Sequence, residues 1–316
     1  MDLRQLRYFV QIAESGNFSR AAEVLHVAQP SLSQQMRNLE MELGVDLLAR
    51  HSRGVTPTER GRELYDHARR ILAEVDRAKD SLRARSAKPS GRISVGLPTS
   101  ACRGLSLPLL QAMAERQPNI TLHLVEAMSG YLDDFIQAGR LDVALLYDHK
   151  AFEHVAWTEM IVEDLMLFVP PHATLAHQTC VPFKSVFGLK LVLPGPPNVL
   201  RTVIEQLAAR HGVAFRASDC DSLPVIARLV RQADCVAIMP HFAFTEEAAR
   251  GEVVAIPIVD PTPSWRLSVV VSQRTMNLRG SEAVAEVLAE VIAGMVADES
   301  WRARLIGGGA ASQQNA

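Results

Sequence analysis

The chain has 316 residues, enough for about two domains. Hydrophobic residues make up 48% and charged residues 22%, an ordinary globular balance that excludes a disordered or fibrous chain. The net charge of −2 names no partner, but residues 1–90 carry 15 basic and 12 acidic side chains against 18 and 23 in the remainder, a weakly basic front compatible with nucleic acid. No apolar run approaches the roughly 18 residues of a membrane span, and the charged, amphipathic start lacks the apolar core of a secretory signal. A cytosolic location without a membrane partner is therefore expected. Cys102, Cys180, Cys220 and Cys235 form no C-x-x-C pair and no zinc spacing, so free, mostly buried thiols are expected. His149, His154, His172 and His177 lie close in sequence but lack ligand-like partners, and no metal or cofactor is implied.

Leu3, Leu6, Phe9, Val10 and Ala13 recur at helical spacing, with Asp2 as N-cap, which predicts an amphipathic helix over 3–15. Gly16-Asn17 breaks it, and Ser19 is the expected cap of a short second helix with Ala22 and Leu25 on its inner face. A three-residue connection leads to Pro30, which suits a first helical position because it lacks the amide hydrogen left unpaired there. The third helix has an apolar stripe at Leu32, Met36, Leu39 and Leu43, closed by Gly44. Projected at 100° per residue, Pro30, Gln34, Arg37, Asn38 and Met41 lie opposite that stripe, with Ser33 on the flank. Two short helices, a tight turn and a third helix with such a face fit a helix-turn-helix. In a major groove Gln can pair with adenine, Arg with guanine or phosphate, and Ser with either.

Leu47-Leu48 precede Arg50-His51-Ser52-Arg53-Gly54-Val55-Thr56, a short basic hairpin that reads as a wing, with Arg50 and Arg53 placed for phosphates or a minor groove. Thr58 then caps a long helix in which Leu64, Ala68, Ile71, Val75, Ala78 and Leu82 are spaced alternately four and three apart. That is a heptad seam, and it calls for the same helix of a second chain. A dimer presents two reading helices about one duplex turn apart, as a palindromic site demands.

The run Ser19-Arg-Ala-Ala-Glu-Val-Leu-His-Val-Ala-Gln-Pro-Ser-Leu-Ser-Gln-Gln-Met-Arg-Asn-Leu-Glu, followed by Leu43-Gly44, Leu47-Leu48, Arg50 and Thr56-Pro-Thr-Glu-Arg-Gly61, resembles the winged helix-turn-helix of LysR-type transcriptional regulators. The resemblance implies a homo-oligomer, usually a dimer of dimers, on an interrupted A+T-rich palindrome beside a promoter. It implies that Gln29, Pro30, Ser33, residue 34, residue 37 and Arg53 face the DNA. With Ser31, Asn38, Arg50 and Thr56 these complete the expected interface. Gln34 stands where many relatives have Arg, so their base preference does not transfer.

After a loop-forming linker, Ser86 to Gly91, strands and helices alternate. Strands are expected over 93–97, 120–125, 141–147, 189–193, 214–217, 236–239 and 266–271, and extended crossing segments over 155–162 and 165–170. Helices are expected over 105–116, 130–138, 198–211, 222–232 and 281–305. Alternation of this kind implies α/β sheets with helices on both faces. The expected fold class is thus an N-terminal winged helix-turn-helix (1–58), a linker helix and hinge (59–91), and a C-terminal α/β domain of two lobes (92–162 with 266–306, and 163–265), ending in a disordered tail (307–316). The second part resembles the periplasmic-binding-protein-like effector domain of LysR-type regulators. Within the family, residues 108–112, 141–149 and 53–58 look closest to the nitrogen-assimilation-control group. Most relatives have a glycine-rich turn where this chain has Ala233-Asp234-Cys235.

Ligands of α/β sheets sit beyond the carboxyl ends of strands, at helix N-termini. Thr99, Ser100, Ser129, Tyr147, Asn198 and Arg201 stand at such places, with Arg201 available to a carboxylate, so a small organic anion is the expected effector. The partners implied are double-stranded DNA, further copies of the chain, that effector, and RNA polymerase as a further candidate. An enzyme is not expected, because no nucleophile elbow, P-loop, G-x-G-x-x-G or metal set is present. A cytosolic solute-binding protein would account for the lobes but not the front. Regulation without an effector, by expression level or redox state, is the alternative within the family. Cys102 lies beside the expected cleft, whereas Cys220 and Cys235 are separated by a helix and suit no local bridge.

Overall fold

The computed structural model describes residues 1–51, 54–82, 89–148, 154–232 and 235–306. The 307–316 tail and the turn at 233–234 lie outside them. Two compact units are formed, residues 1–87 with 273–278, and residues 88–272 with 279–316.

In the first unit, α1 (Leu3–Ser15) opens on a capping box. Gln5 N donates to Asp2 Oδ1 at 2.7 Å, and Asp2 N donates to Gln5 Oε1 at 3.0 Å. Gly16, left-handed at φ 63°, ends the helix. Helix α2 (Phe18–Val24) begins two residues earlier than a Ser19 cap would place it. The cap is Asn17, whose Oδ1 accepts from Ser19 N at 2.8 Å and Arg20 N at 3.2 Å. Helix α3 (Gln29–Leu43) carries Pro30 in its first turn and stops at left-handed Gly44. Strands β1 (Leu48–His51) and β2 (Gly54–Pro57) form an antiparallel hairpin, and α4 (Glu59–Leu82) follows. Phe9, Ile12, Ala21, Leu32, Met36, Leu39, Leu47 and Val55 make one core, and the small Ala21-Ala22 pair lets α2 approach closely. Glu40 holds the hairpin to α3, its Oε1 accepting from Leu47 N at 2.9 Å and Leu48 N at 3.1 Å.

Two glycines in this unit are required by space. A Cβ on Gly61 would stand 2.0 Å from the Leu47 carbonyl oxygen, so only glycine lets α4 start against β1. Gly54 has φ +136°, and a Cβ there would lie 2.4 Å from the Gly16 carbonyl oxygen. That oxygen accepts from Val55 N at 2.9 Å, which docks the hairpin on the turn between α1 and α2.

The second unit contains two larger sheets. The first is six-stranded and built from β3 (Gly91–Pro98), β4 (Ile120–Ala127), β5 (Val143–Tyr147), β6 (Val155–Asp164), β13 (Ser264–Ser272) and β14 (Ala303–Leu305), in the order β14-β6-β13-β5-β3-β4. Strands β4 and β5 run parallel to β3, while β13 is antiparallel to β5 and β6. The second sheet takes β7 (Met166–Val169), β8 (Val181–Pro182), β11 (Ala237–Met239) and β12 (Val254–Val259) in the order β11-β7-β12-β8, beside a parallel pair of β9 (Val192–Leu193) and β10 (Ser218–Asp219). The helices are α5 (Thr99–Arg116), α6 (Ser129–Gln137), α7 (Phe183–Val186), α8 (Val199–Arg210), α9 (Leu223–Gln232), α10 (Thr245–Ala249) and α11 (Leu278–Ala297). The chain passes between the sheets twice, after β6 and before β13, and the crossings bond to each other through Leu165 N to Pro263 O at 2.8 Å.

Two local expectations are corrected and one further strand is found. The last helix ends at Ala297 and not near 305. A turn at Asp298-Glu299-Ser300, with Glu299 at φ 63° and Ser300 N bonded to Asp298 Oδ1 at 2.9 Å, frees residues 303–305 to pair with β6 as β14. The strand expected at 214–217 forms instead at Ser218–Asp219, where β9 is available as a partner. Strand β12, the central neighbour of β7, was not foreseen, because Val-Val-Ala-Ile-Pro-Ile carries a proline that suggests an edge.

Candidate nucleic-acid interface and ligand cleft

Helix α3 turns Leu32, Met36 and Leu39 inward, so Pro30, Ser31, Gln34 and Arg37 are exposed and Asn38 half-exposed on one continuous face. Three of these side chains are joined. Arg37 Nη2 donates to Gln34 Oε1 at 2.7 Å, and Gln34 Nε2 donates to Asn38 Oδ1 at 2.9 Å. Ser33 departs from the expectation that it faces DNA. It is only 6% exposed, on the inner flank of α3, and its Oγ accepts from Nε2 of exposed Gln29 at 3.1 Å. Its position orients Gln29 at the head of the helix. In the hairpin, Thr56 is exposed opposite Ala49, and Val55 is buried beneath. Arg50 lies on β1, whereas Arg53 falls outside the described residues.

The heptad seam on α4 divides into two uses. Ala68 is fully buried with Leu72 against Leu6 and Val10 of α1, with Leu64 and Tyr65 packed beside them. Ala68 is therefore covered by its own chain and does not belong to a free seam, because α1 needs a partner for its second apolar edge. Ile71 is 38% exposed and Val75 half-exposed, which leaves these two open. The side chains of Ala78 and Leu82 lie outside the described residues. Leu72, missed in the sequence, adjoins Ile71 and would have been visible as the four-residue step from Ala68.

In the second unit the ends of β3, β4 and β5 run into a cleft. Thr99 opens α5 immediately after β3, Ser129 opens α6 after β4, Tyr147 ends β5, and Asn198 caps α8, accepting from Leu200 N at 2.9 Å. These residues with Ser100 line an inner cavity of about 70 Å³, closed by Met128, Leu223, Ile226, Met239 and Trp265. It adjoins a wider space of about 710 Å³ that shares Met128, Tyr147, Asn198 and Asp221. Ser100 Oγ lies 3.2 Å from Tyr147 Oη, and the Tyr147 ring stacks on Trp265 at 3.7 Å. Burial pushes the Tyr147 phenol well above its ordinary range, so it stays protonated and can donate. Ser129 is buried and lines the cavity.

Arg201 does not join this cleft, contrary to expectation. Its guanidinium is engaged by Glu205 (Nε to Oε1, 2.6 Å) and Asp219 (Nη1 to Oδ1, 2.8 Å) and lies 4.4 Å from the Phe215 ring centroid. It points away because α8 turns residue 201 toward β10. The residues missed from sequence were Trp265 and Asp221, each contributed by a segment that spacing does not connect to the cleft. Asp221 Oδ1 accepts from Gly195 N at 2.9 Å and so shapes the loop before α8.

Beneath Trp265 lies a buried carboxylate. Glu163, 1% exposed near the end of β6, accepts from Trp265 Nε1 at 2.8 Å, Trp301 Nε1 at 2.9 Å and His241 N at 3.2 Å. Burial outweighs these donors and lifts the carboxyl to about 7. The four cysteines are free, and burial together with Glu126 pushes the Cys102 thiol up, away from thiolate reactivity. Among the described residues no helix is long and apolar enough to cross a membrane.

Residues 3–62 match the family described as bacterial regulatory helix-turn-helix protein, lysR family, and residues 86–293 match the LysR substrate binding domain. The chain is 33% identical to the nitrogen assimilation regulatory protein nac of Escherichia coli (strain K12), over 96% of this chain and 99% of that protein. It is 31% identical to the DNA-binding transcriptional dual regulator OxyR of the same organism, over 85% and 89%. Among solved structures it is similar to full-length BenM, with TM-score 0.56 and 26% identity over 95% of this chain and 98% of that one. A full-length OxyR from Pseudomonas aeruginosa, at TM-score 0.78 and 23% identity over 92% and 94%, shares the fold.

Proposed function

Because this chain belongs to the LysR family of DNA-binding transcriptional regulators, we propose that it binds an interrupted palindrome near a promoter as a dimer, through α3 and the hairpin, under the control of a small organic effector in the cleft. The observation that carries the reading is the exposed Gln34-Arg37-Asn38 face of α3 beside a basic hairpin. Residues 1–58 form the reading domain, 59–91 the dimerising linker and 92–306 the effector domain. Gln29, Pro30, Ser31, Arg50, Arg53 and Thr56 position the protein on the duplex around the base-facing residues, with phosphate contacts supplying most of the affinity. Ile71 and Val75, continued by Ala78 and Leu82, supply the apolar seam between two copies. Leu107 and Leu110, exposed three residues apart on α5, with exposed Val225 on α9, offer apolar surface for a second pairing into a dimer of dimers. RNA polymerase is the partner through which an occupied site changes transcription. The protein acts in the cytosol, and no catalytic step is assigned to it.

The effector is an organic anion taken up without a cation. Ser129 and Thr99 offer hydroxyls at the N-termini of α6 and α5, where backbone amides and the helix dipole favour a carboxylate, and the apolar walls accept its carbon skeleton. Footprinting of the purified protein on fragments of its own genome at defined salt tests the reading. Protection of paired half-sites upstream of a neighbouring gene supports it. Retention without sequence preference would refute it.

A further inference from the structure

We infer that Arg103, Gly104 and Glu163, none of which lines the inner cavity, are positioning residues of the cleft: they clamp the segment from His241 to Glu247 onto α5 and the end of β6, and the clamp sets the width of the cavity. The inference rests on the cleft being the effector site and goes beyond it by naming what holds its two walls at their spacing. One wall, Thr99 and Ser100, opens α5, which leaves β3 of the six-stranded sheet. The other includes Met239 and Pro240, at the end of β11 in the four-stranded sheet. Each wall runs straight into the clamp. Arg103 follows Thr99 by about one helical turn, and His241 comes directly after Pro240.

Three contacts of different kinds make the clamp. Arg103 Nη1 donates to Ala243 O at 2.9 Å, and Nη2 donates to Glu247 Oε1 at 3.1 Å and Oε2 at 2.9 Å. Glu247 is 8% exposed, so this charge pair is partly shielded from salt. At Gly104 the Phe242 ring comes so close that a Cβ would stand 2.4 Å from its Cδ1, and the same ring lies 4.8 Å from that of Trp301. Glu163 Oε1 accepts from His241 N and Trp301 Nε1 while Oε2 accepts from Trp265 Nε1, which ties the segment to a ring of the cavity wall. An effector between the two walls meets them at the spacing the clamp imposes. A protein with its clamp opened binds that effector in proportion to the fraction still closed.

The test uses full-length Trp157→Phe protein, whose two remaining tryptophans, Trp265 and Trp301, both belong to this region and are 4% and 1% exposed. Acrylamide quenching of their emission reads the opening of the clamp. Hydrogen exchange over 241–247, compared with that of Leu165, whose amide bonds across the two crossings, separates opening from general unfolding. Arg103→Met removes the donors and Gly104→Ala drives a methyl group into the Phe242 ring; each is expected to raise the quenching constant about 3-fold or more. Glu163→Gln turns an N–H toward one of the three donors and gives a smaller rise. Arg103→Lys keeps a cation for Glu247 and restores most of the shielding. Exchange should rise over 241–247 and stay unchanged at Leu165. Unchanged quenching in both Arg103→Met and Gly104→Ala, or exchange that rises equally at both places in both variants, overturns the inference. The same variants are then carried into a transcription reporter driven by a DNA fragment that the protein protects. Opening with altered expression supports the clamp and the effector reading together. Opening with unaltered expression keeps the clamp and refutes the cleft as the controlling site.

Discussion

The reading face of α3 and the cleft of the second unit both offer polar groups to another molecule, yet they are assembled on very different scales. The first lies within one helix of 15 residues, its exposed members three and four positions apart and bonded to each other. The second draws Thr99, Ser129, Tyr147, Asn198, Asp221 and Trp265 from six segments spread over more than half the chain. A face of the first kind follows from helical geometry. A cleft of the second kind depends on where two sheets place their strand ends. The two arginines make the contrast sharp: Arg37 stands where its spacing puts it, whereas Arg201 was expected in the cleft and is held outside it by Glu205 and Asp219.

The sharpest way to break the local region is at Gly61. Gly61→Ala drives a methyl group into the Leu47 carbonyl oxygen, and a loss of about 3 kcal/mol is expected in the stability of the first unit. Thermal unfolding followed by circular dichroism should show an early transition with loss of DNA retention. Unaltered melting would mean that α4 moves freely away from β1.

The cleft's foundation is tested by pH. Glu163 in the folded protein holds its proton more tightly than the ordinary value of 4.5 would allow, titrating at about 7. Its contribution to stability is fully present below about pH 4.5 and is lost as pH rises through about 7, a change of about 3 kcal/mol. Urea titrations across that window should give a shallower pH slope for Glu163→Gln than for the unmodified protein. Equal slopes would place the titrating group elsewhere.

Smaller effects distinguish the two uses of α4. Ile71→Asp should leave the fold intact and weaken self-association about 10-fold or more, as read by sedimentation equilibrium. Ala68→Asp should lower the melting temperature instead, because residue 68 is covered by Leu6 and Val10. The smallest expected pair sets a cleft residue against a scaffold residue. Arg201→Met should cost about 1 kcal/mol in chemical denaturation, since Asp219 and Glu205 are substantially exposed and screened. Ser129→Ala should cost about 0.5 kcal/mol or less. A stability cost at Ser129 exceeding that at Arg201 would reverse the assignment of one to the cleft and the other to the scaffold.

Much of the molecule was legible in advance for identifiable reasons. Helices α1, α3 and α4 announce themselves by periodicity and by Asp2, Pro30, Gly44 and Thr58 at their ends, and the hairpin by Gly54. The strands β3 and β4 are largely apolar runs set between helices, β5 is an apolar run after α6, and their expected and observed spans agree to within a few residues. The family resemblance, carried by the motif from Ser19 to Gly61, was met by matches over both parts of the chain. Elements stabilised mainly by a distant neighbour were missed. Strand β14 exists because the edge of β6 is open to it, and β12, despite its proline, because β7 lies beside it.

The amino-acid sequence by itself therefore determined helices α1, α3 and α4 with the residues at their ends, the exposed polar face of α3 and the membership of a regulator family, because all of these depend on residues a few positions apart or on one continuous motif. Only the tertiary structure decided that Ser33 and Ala68 are covered, that Arg201 is engaged away from the cleft, and that Glu163 joins Trp265, Trp301 and the His241 backbone beneath it. Burial and pairing between remote residues are set by which surfaces meet when the chain packs, and the spacing of residues along the chain does not record that.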